Sequence, residues 1–233
     1  MGYKAGMLNT IANLAIMITL AAPVAAVTYS APIQGDTCGV NNIAWVVPGK
    51  LLRSGAVIVA GTHLAGSRPG DGPAVEASYK QLKAKYHVGA IVNLRGESNE
   101  DEAAAKAAGL RYLRLPIEDG APPTPDQVKR FFTFVKDARA QKQVVLWHCA
   151  GGIGRTGVLA GMLRVKSGWS TKDATNEMFK MGLNYEQAAD HLPALNNFAA
   201  ALGKPAYYPA DWHGPRKSRY DYSAVARSVP AID

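Results

Sequence analysis

His148-Cys149-Ala150-Gly151-Gly152-Ile153-Gly154-Arg155-Thr156-Gly157 is the stretch on which the reading of this 233-residue chain turns. Before it, Gln143-Val144-Val145-Leu146-Trp147 is a short apolar, β-branched run with the character of a buried strand. After it, Val158, Leu159, Met162, Leu163 and Val165 recur at helical spacing. The glycine-rich segment therefore joins the end of a strand to the start of a helix. Five residues separate Cys149 from Arg155, enough for the backbone to curl so that successive N–H groups point at one centre. Ala150, Gly151, Gly152, Ile153 and Gly154 would form that cradle, and an anion belongs in it. The helix N-terminus adds partial positive charge, and the planar Arg155 guanidinium can hold two oxygens of a phosphate.

The same field acts on sulfur. A free cysteine titrates near ~8.5, but at a helix N-terminus among N–H donors and cations its pKa falls to roughly 3.5–7.5, so Cys149 is expected to be a thiolate nucleophile at neutral pH. Thr156 would place a hydroxyl beside that sulfur, where it can assist the thiolate as a leaving group. His148 would brace the loop by hydrogen bonding.

His-Cys-x5-Arg-Thr resembles the signature of the cysteine-dependent protein tyrosine and dual-specificity phosphatases. Members of that family carry a general-acid aspartate on a mobile loop upstream. Here Leu115-Pro116-Ile117-Glu118-Asp119-Gly120-Ala121-Pro122-Pro123 is similar to the acid loop of the small dual-specificity enzymes, with Asp119 thirty residues before Cys149. By that match Asp119, rather than Glu118, is the acid. A phosphoester oxygen leaves poorly unless protonated, so a carboxyl on a Gly/Pro-hinged loop suits the reaction. The segments Lys50-Leu51-Leu52-Arg53-Ser54-Gly55 and Asn93-Leu94-Arg95-Gly96-Glu97 also look like parts of the compact, atypical branch. Arg95 is a candidate for the phosphate site, by bracing a loop carbonyl or touching substrate; a surface ion pair with Glu97 is the alternative. No Trp-Pro-Asp triplet and no phosphotyrosine-clamping segment of the larger tyrosine phosphatases is evident.

The resemblance implies a phosphomonoester hydrolase working through a cysteinyl-phosphate, without metal or cofactor, on phosphotyrosine, phosphoprotein or similar monophosphates. The alternatives are an inositol-polyphosphate or phosphoinositide phosphatase on the same loop, or a non-catalytic phosphate-binding module. The five residues between Cys149 and Arg155 are all neutral, whereas phosphoinositide phosphatases commonly place lysines there, so recognition of a single phosphate is expected.

Elsewhere the pattern alternates. A strand is expected within 44–53, before Pro48-Gly49, then a helix over 74–86 with Val75, Tyr79 and Leu82 on one face, a strand over 88–94, and a helix over 99–108 opened by Ser98 and Asp101 as a capping box. A strand over 111–115 and a helix from Thr124-Pro125-Asp126-Gln127 to about residue 140 follow, then helices over 155–166, 171–181 and 185–202. This predicts a single α/β phosphatase domain, with a central, mostly parallel sheet flanked by helices on both faces. The active loop would sit at a strand's carboxyl end.

The expected organisation is a signal peptide over 1–26, a lead segment over 27–40, the phosphatase domain over 41–202 and a C-terminal extension over 203–233. Lys4 precedes an apolar run, and Val24-Ala25-Ala26 has the small residues a signal peptidase cuts, predicting export; the alternative is an uncleaved N-terminal anchor. The apolar run is short for a membrane span, and nothing later is long or apolar enough for one. Residues 1–26 hold one basic and no acidic residue, so the formal charge of +8 becomes +7 without them. That favours anionic partners, yet no nucleic-acid motif is present. The five histidines show no metal-ligand spacing. Trp45, Trp147 and Trp169 read as core. With Cys38 the only other cysteine, an intramolecular disulfide would consume the nucleophile; Cys38 is either a lone thiol or half of an oxidative off-switch. The tail after Leu202 reads as a solvated extension or packed arm.

Overall fold

The structure is a computed structural model and describes residues 27–59, 63–64 and 71–232; the expected signal peptide lies outside them. Strand β1 (Ala44–Val47) turns at Pro48-Gly49 into β2 (Leu51–Ser54), pairing antiparallel. The strand expected before Pro48-Gly49 is β1, and β2 pairs with it as a hairpin. A small antiparallel pair, β3 (Ile58–Val59) and β4 (His63–Leu64), precedes α1 (Gly72–Tyr86). Then follow β5 (Val88–Arg95), α2 (Asp101–Ala107), β6 (Arg111–Ile117), α3 (Pro125–Ala140) and β7 (Val144–His148). The chain closes with α4 (Gly154–Lys166), α5 (Thr171–Lys180), α6 (Tyr185–Ala200) and α7 (Ser223–Ser228). The main sheet runs β1-β2-β7-β5-β6, parallel at every pairing except β1 with β2.

Side chains alternate across this sheet and so build two cores. Val145 and Trp147 of β7, with Ala90, Val92 and Leu94 of β5, pack under α3, α4 and α6. Val144 and Leu146, with Val88 and Ile91, face Val75, Tyr79 and Leu82 of α1 and Ala104 and Ala105 of α2. Because Cys149 continues the odd-numbered series, it emerges on the α4 side, while Cys38 is buried in the α1 core. Both thiols are free, and burial pushes the Cys38 thiol up. The oxidative off-switch weighed from sequence would have to link cysteines buried in separate cores, with the sheet between them.

Two local expectations part company. Thr124 and Gln127 cap α3 reciprocally, the Gln127 amide N–H donating to Thr124 Oγ1 at 3.2 Å and the Thr124 N–H to Gln127 Oε1 at 2.7 Å. Ser98 and Asp101 form no such box: α2 has Glu100 at its N-cap with no side-chain hydrogen bond, and Asp101 is buried in a charged cluster instead. Of the three tryptophans assigned to the core, only Trp147 is fully buried. Trp45 packs half-buried edge-on to Tyr86, and Trp169 lies under Arg164, whose guanidinium carbon is 4.0 Å from the ring centre.

The flanking segments are packed. Ser30 donates through both N and Oγ to the Glu177 carboxylate at 3.1 Å, and Arg164 Nη2 meets the same carboxylate at 3.0 Å. After Leu202, Trp212, Tyr222, Val225 and Ile232 join the α3/α4/α6 core, and Lys166 Nζ donates to the Ala226 carbonyl at 2.8 Å.

Candidate active site

Strand β7 ends at His148, and the chain turns into α4 through a loop that closes back on its own sulfur: the Gly152 N–H points at Cys149 Sγ, 3.3 Å away. The Gly152 carbonyl is drawn the other way, accepting from Arg53 Nη2 at 2.6 Å and from Asn42 Nδ2 at 3.2 Å. Turning the carbonyl outward turns the N–H of its residue's neighbourhood inward, toward the place an anion would occupy. Gly152 has φ +72°, and a Cβ there would lie 2.5 Å from the Gly55 nitrogen, so only glycine fits. Arg53 is fully buried, its Nε and Nη1 have no hydrogen-bond partner among the described residues, and burial lowers its pKa to about 10 against the attraction of Glu177 and Cys149.

Below the loop, His148 points to the α1/α2 face. Its Nδ1 lies 3.2 Å from the Cys149 carbonyl oxygen, and its Nε2 is 2.8 Å from Asp101 Oδ2. Asp101 also accepts from the Tyr79 hydroxyl at 2.8 Å and pairs with Arg95 Nη2 at 2.6 Å. Burial acts to raise the Asp101 carboxyl, but His148, Arg95 and Tyr79 together outweigh it and hold it below the usual carboxylate range. Arg95 therefore belongs to this buried cluster. The surface pair with Glu97 considered for it does not form.

Glu97 takes Arg155 instead. Its Oε2 and Oε1 receive Nη1 and Nη2 at 2.7 and 2.9 Å, a two-pronged grip, and Nη1 also donates to the Ile117 carbonyl at 3.1 Å. Asp119 Oδ1 reaches Nη2 at 2.9 Å from the exposed loop after β6. Burial raises and Arg155 lowers the Glu97 carboxyl, the net being downward; for Arg155, burial opposes and Glu97, Cys149 and Asp119 favour the charge, the net being upward. Thr156 is fully buried, and its hydroxyl donates to the Ser54 carbonyl at 3.4 Å, a different partner from the sulfur expected for it.

A cavity of about 240 Å³ opens over the loop. Asp119, Gly120, Cys149, Ala150, Gly151, Ile153, Gly154 and Arg155 line it, joined by Gln187 and His191 from α6. Glu118, one residue away, is exposed and is not among the lining residues. No group of acidic, histidine or cysteine side chains with metal-binding geometry occurs among the described residues. From sequence, Arg53 stands only within a family-like segment, Glu97 only as a surface partner for Arg95 and Asp101 only as a helix cap, while Gln187 and His191 have no assigned role. Arg53 carried a signal, being the one charge inside an apolar strand; the others are brought in from distant elements.

A thiol and a guanidinium stand on one glycine-rich loop, at the carboxyl end of a central parallel strand and across a cavity from a carboxyl, an arrangement suited to cysteine-based phosphoryl chemistry. The chain is similar to the protein tyrosine and dual-specificity phosphatases. The family model described as "Polymorphic toxin system, DSP-PTPase phosphatase" matches residues 65–168. The tyrosine-protein phosphatase CDC14 homolog of Schizosaccharomyces pombe is 31% identical over 134 residues, covering 58% of this chain and 23% of that protein. Human protein tyrosine phosphatase type IVA 3 is 30% identical over 92 residues, 39% of this chain and 53% of that one. The chain thus spans less than two thirds of the length of these curated relatives. Among solved structures, Tk-PTP in its active form superposes with a TM-score of 0.50 at 20% identity, covering 66% of this chain and 95% of that one. P. aeruginosa TpbA in complex with pTyr superposes with a TM-score of 0.50 at 22% identity, covering 74% and 96%. At these identities the two structures speak for the fold.

Proposed function

We propose that this chain hydrolyses phosphomonoesters, phosphotyrosine among them, by a two-step route through a cysteinyl-phosphate. The observation that carries the reading is that Cys149, Arg155 and Asp119 line one cavity of about 240 Å³, with the loop residues between them. Curated relatives at 30–31% identity are named tyrosine phosphatases, which supports the same substrate class. In the first step Cys149 Sγ attacks phosphorus, the ester P–O bond breaks, and Asp119 gives its proton to the leaving oxygen. The loop N–H groups and Arg155 hold the equatorial oxygens, where charge gathers. A phosphate oxygen entering at Arg155 Nη2 displaces Asp119, so the carboxyl exchanges a cationic neighbour for an anionic one just as it must deliver a proton. Water then attacks phosphorus, Asp119 takes its proton, and the S–P bond breaks to return the thiolate.

The neutral Ala150-Gly151-Gly152-Ile153-Gly154 cradle favours one phosphate over several. Turnover of an aryl phosphate beside phosphotyrosine peptides and inositol hexakisphosphate tests this. Cys149→Ser should abolish turnover, losing several powers of ten, while tungstate still binds. Residual activity above about one per cent of wild type defeats covalent catalysis by Cys149. A kcat/KM for inositol hexakisphosphate tenfold above that of the best phosphotyrosine peptide, about 1.4 kcal/mol of transition-state preference, reassigns the substrate. We also propose export directed by residues 1–26; a mature N-terminus near Val27 in the secreted or periplasmic fraction is the expected result, and an intact Met1 retained with the cells overturns it.

A further inference from the structure

One buried polar atom beside the cavity has no partner and no role in the mechanism above. His191 of α6 is 1% exposed and lines the cavity with Cys149, Arg155 and Asp119. Its Nδ1 is 2.5 Å from the carbonyl oxygen of Gln187, one turn earlier in the helix. A carbonyl only accepts, so Nδ1 carries a proton, and in the neutral ring Nε2 is a bare lone pair. That Nε2 meets no donor among the described residues. The ring lies against the phosphate loop itself: a Cβ on Gly154 would sit 3.0 Å from His191 Cε1 and 3.2 Å from Nε2. Gly154 is therefore the residue that lets α6 bring an imidazole this close to the loop.

The charges around the ring come from three elements. Arg155 on α4 opposes an imidazolium, whereas Asp119 on the acid loop and Asp190 on α6 favour one, as does the Gln187 carbonyl. Cys149 shares the cavity, and Glu97 acts at one remove through Arg155. Burial is the largest influence and holds the ring below the ordinary histidine range, so it is neutral at pH 7 in the ligand-free protein.

Resting on the reading that a phosphoryl group fills this loop, we propose that His191 is part of the phosphoryl subsite: when a tetrahedral dianion binds, Nε2 takes up one proton from solution and donates it to an anion oxygen. One N–H bond forms at Nε2 at the expense of a solvent proton, and Nδ1 keeps its hydrogen bond to Gln187. A dianion placed beside Arg155 neutralises the cation that opposed the imidazolium and adds negative charge of its own. Binding thereby becomes linked to a single proton, and affinity falls by up to tenfold for each pH unit between the free-state titration of the ring and its higher bound-state titration, levelling off above the latter.

Tungstate, a dianion through the neutral range, is the probe, and Cys149→Ser is the background, so that the thiolate cannot be the proton's destination. Calorimetry at pH 7 in two buffers of different ionisation heat should read proton uptake on binding. The ring nitrogen resonance of His191 Nε2 should move from its lone-pair position to that of an imidazolium. His191→Asn keeps a side-chain N–H for the Gln187 carbonyl but removes Nε2; it should bind tungstate about tenfold more weakly at pH 6 and without the pH slope. Tungstate binding with no proton uptake and an unmoved His191 resonance overturns the proposal. So does uptake that survives in His191→Asn but disappears in Asp119→Asn. Failure of the Cys149→Ser protein to bind tungstate at all removes the phosphoryl reading of the loop along with it.

Discussion

Glu97 and Asp119 share the guanidinium of Arg155. Glu97 grips both terminal nitrogens at 2.7 and 2.9 Å, and Asp119 holds Nη2 at 2.9 Å. The two contacts differ in kind: the first is a bidentate clamp that orients the fork, the second a single contact from a carboxyl whose side chain is 84% exposed. Glu97 accordingly belongs to the resting architecture of the site. In the proposed mechanism Asp119 is displaced by substrate and acts on it.

Glu97→Gln keeps the shape and removes the charge. The loosened guanidinium should lower kcat/KM for an aryl phosphate about tenfold, mostly through KM, because a misoriented fork loses part of its bidentate hold. The melting temperature should change little, since the Glu97 side chain is 46% exposed and such pairs contribute little to stability. An unchanged kcat/KM would mean that the Ile117 carbonyl and the loop alone orient Arg155.

For Asp119→Asn, kcat should fall about 10²–10³-fold with a poor leaving group and much less with an activated aryl ester, with loss of the basic limb of the pH profile. Glu118→Gln should stay within about twofold of wild type. The reverse pattern would move the acid by one residue.

Arg53→Met removes the 2.6 Å donor to the Gly152 carbonyl from a fully buried position. The loop loses the anchor that turns this carbonyl away from the sulfur. Chemical denaturation should report about 2–4 kcal/mol lower stability, and turnover should fall even under conditions where the protein stays folded. Arg53→Lys should not restore activity, because a point ammonium cannot replace the planar fork. Full activity in the methionine variant would reduce Arg53 to a packing role.

Asp101→Asn leaves Arg95 buried against a neutral partner and should lower stability at pH 7 by about 3–5 kcal/mol. The sign of the pH dependence follows from the depressed carboxyl. The stabilisation is present above the ordinary aspartate range and drains away as pH falls through it toward the lower folded-state value. Wild type should thus lose its advantage over the asparagine variant progressively below about pH 4. Parallel unfolding curves for the two proteins between pH 7 and pH 3 would contradict this.

What the sequence determined by itself was local. Cys149 to Thr156 with an apolar strand before and a largely apolar helix after, and Thr124 with Gln127 at a helix start, are decided by neighbours within a few positions. Such interactions depend only on backbone geometry and side chains one turn apart, so they can be read along the chain. Tertiary structure decided which charges meet. Glu97 lies 58 residues from Arg155, and Arg53 lies 99 from Gly152, and each pairing arises because parallel strands deliver their carboxyl ends to one edge. Arg95 and Glu97 are two apart in sequence, yet the pleat and the turn after β5 send one under the sheet to Asp101 and the other up to Arg155. Ser98 and Asp101 satisfied the local rule for a cap. A buried guanidinium at 2.6 Å and an imidazole at 2.8 Å bind a carboxylate more strongly than a helix N-terminus does, and Asp101 went to them. His191 carries no mark in its own neighbourhood; only the packing of α6 against α4 at Gly154 brings it to the phosphate loop.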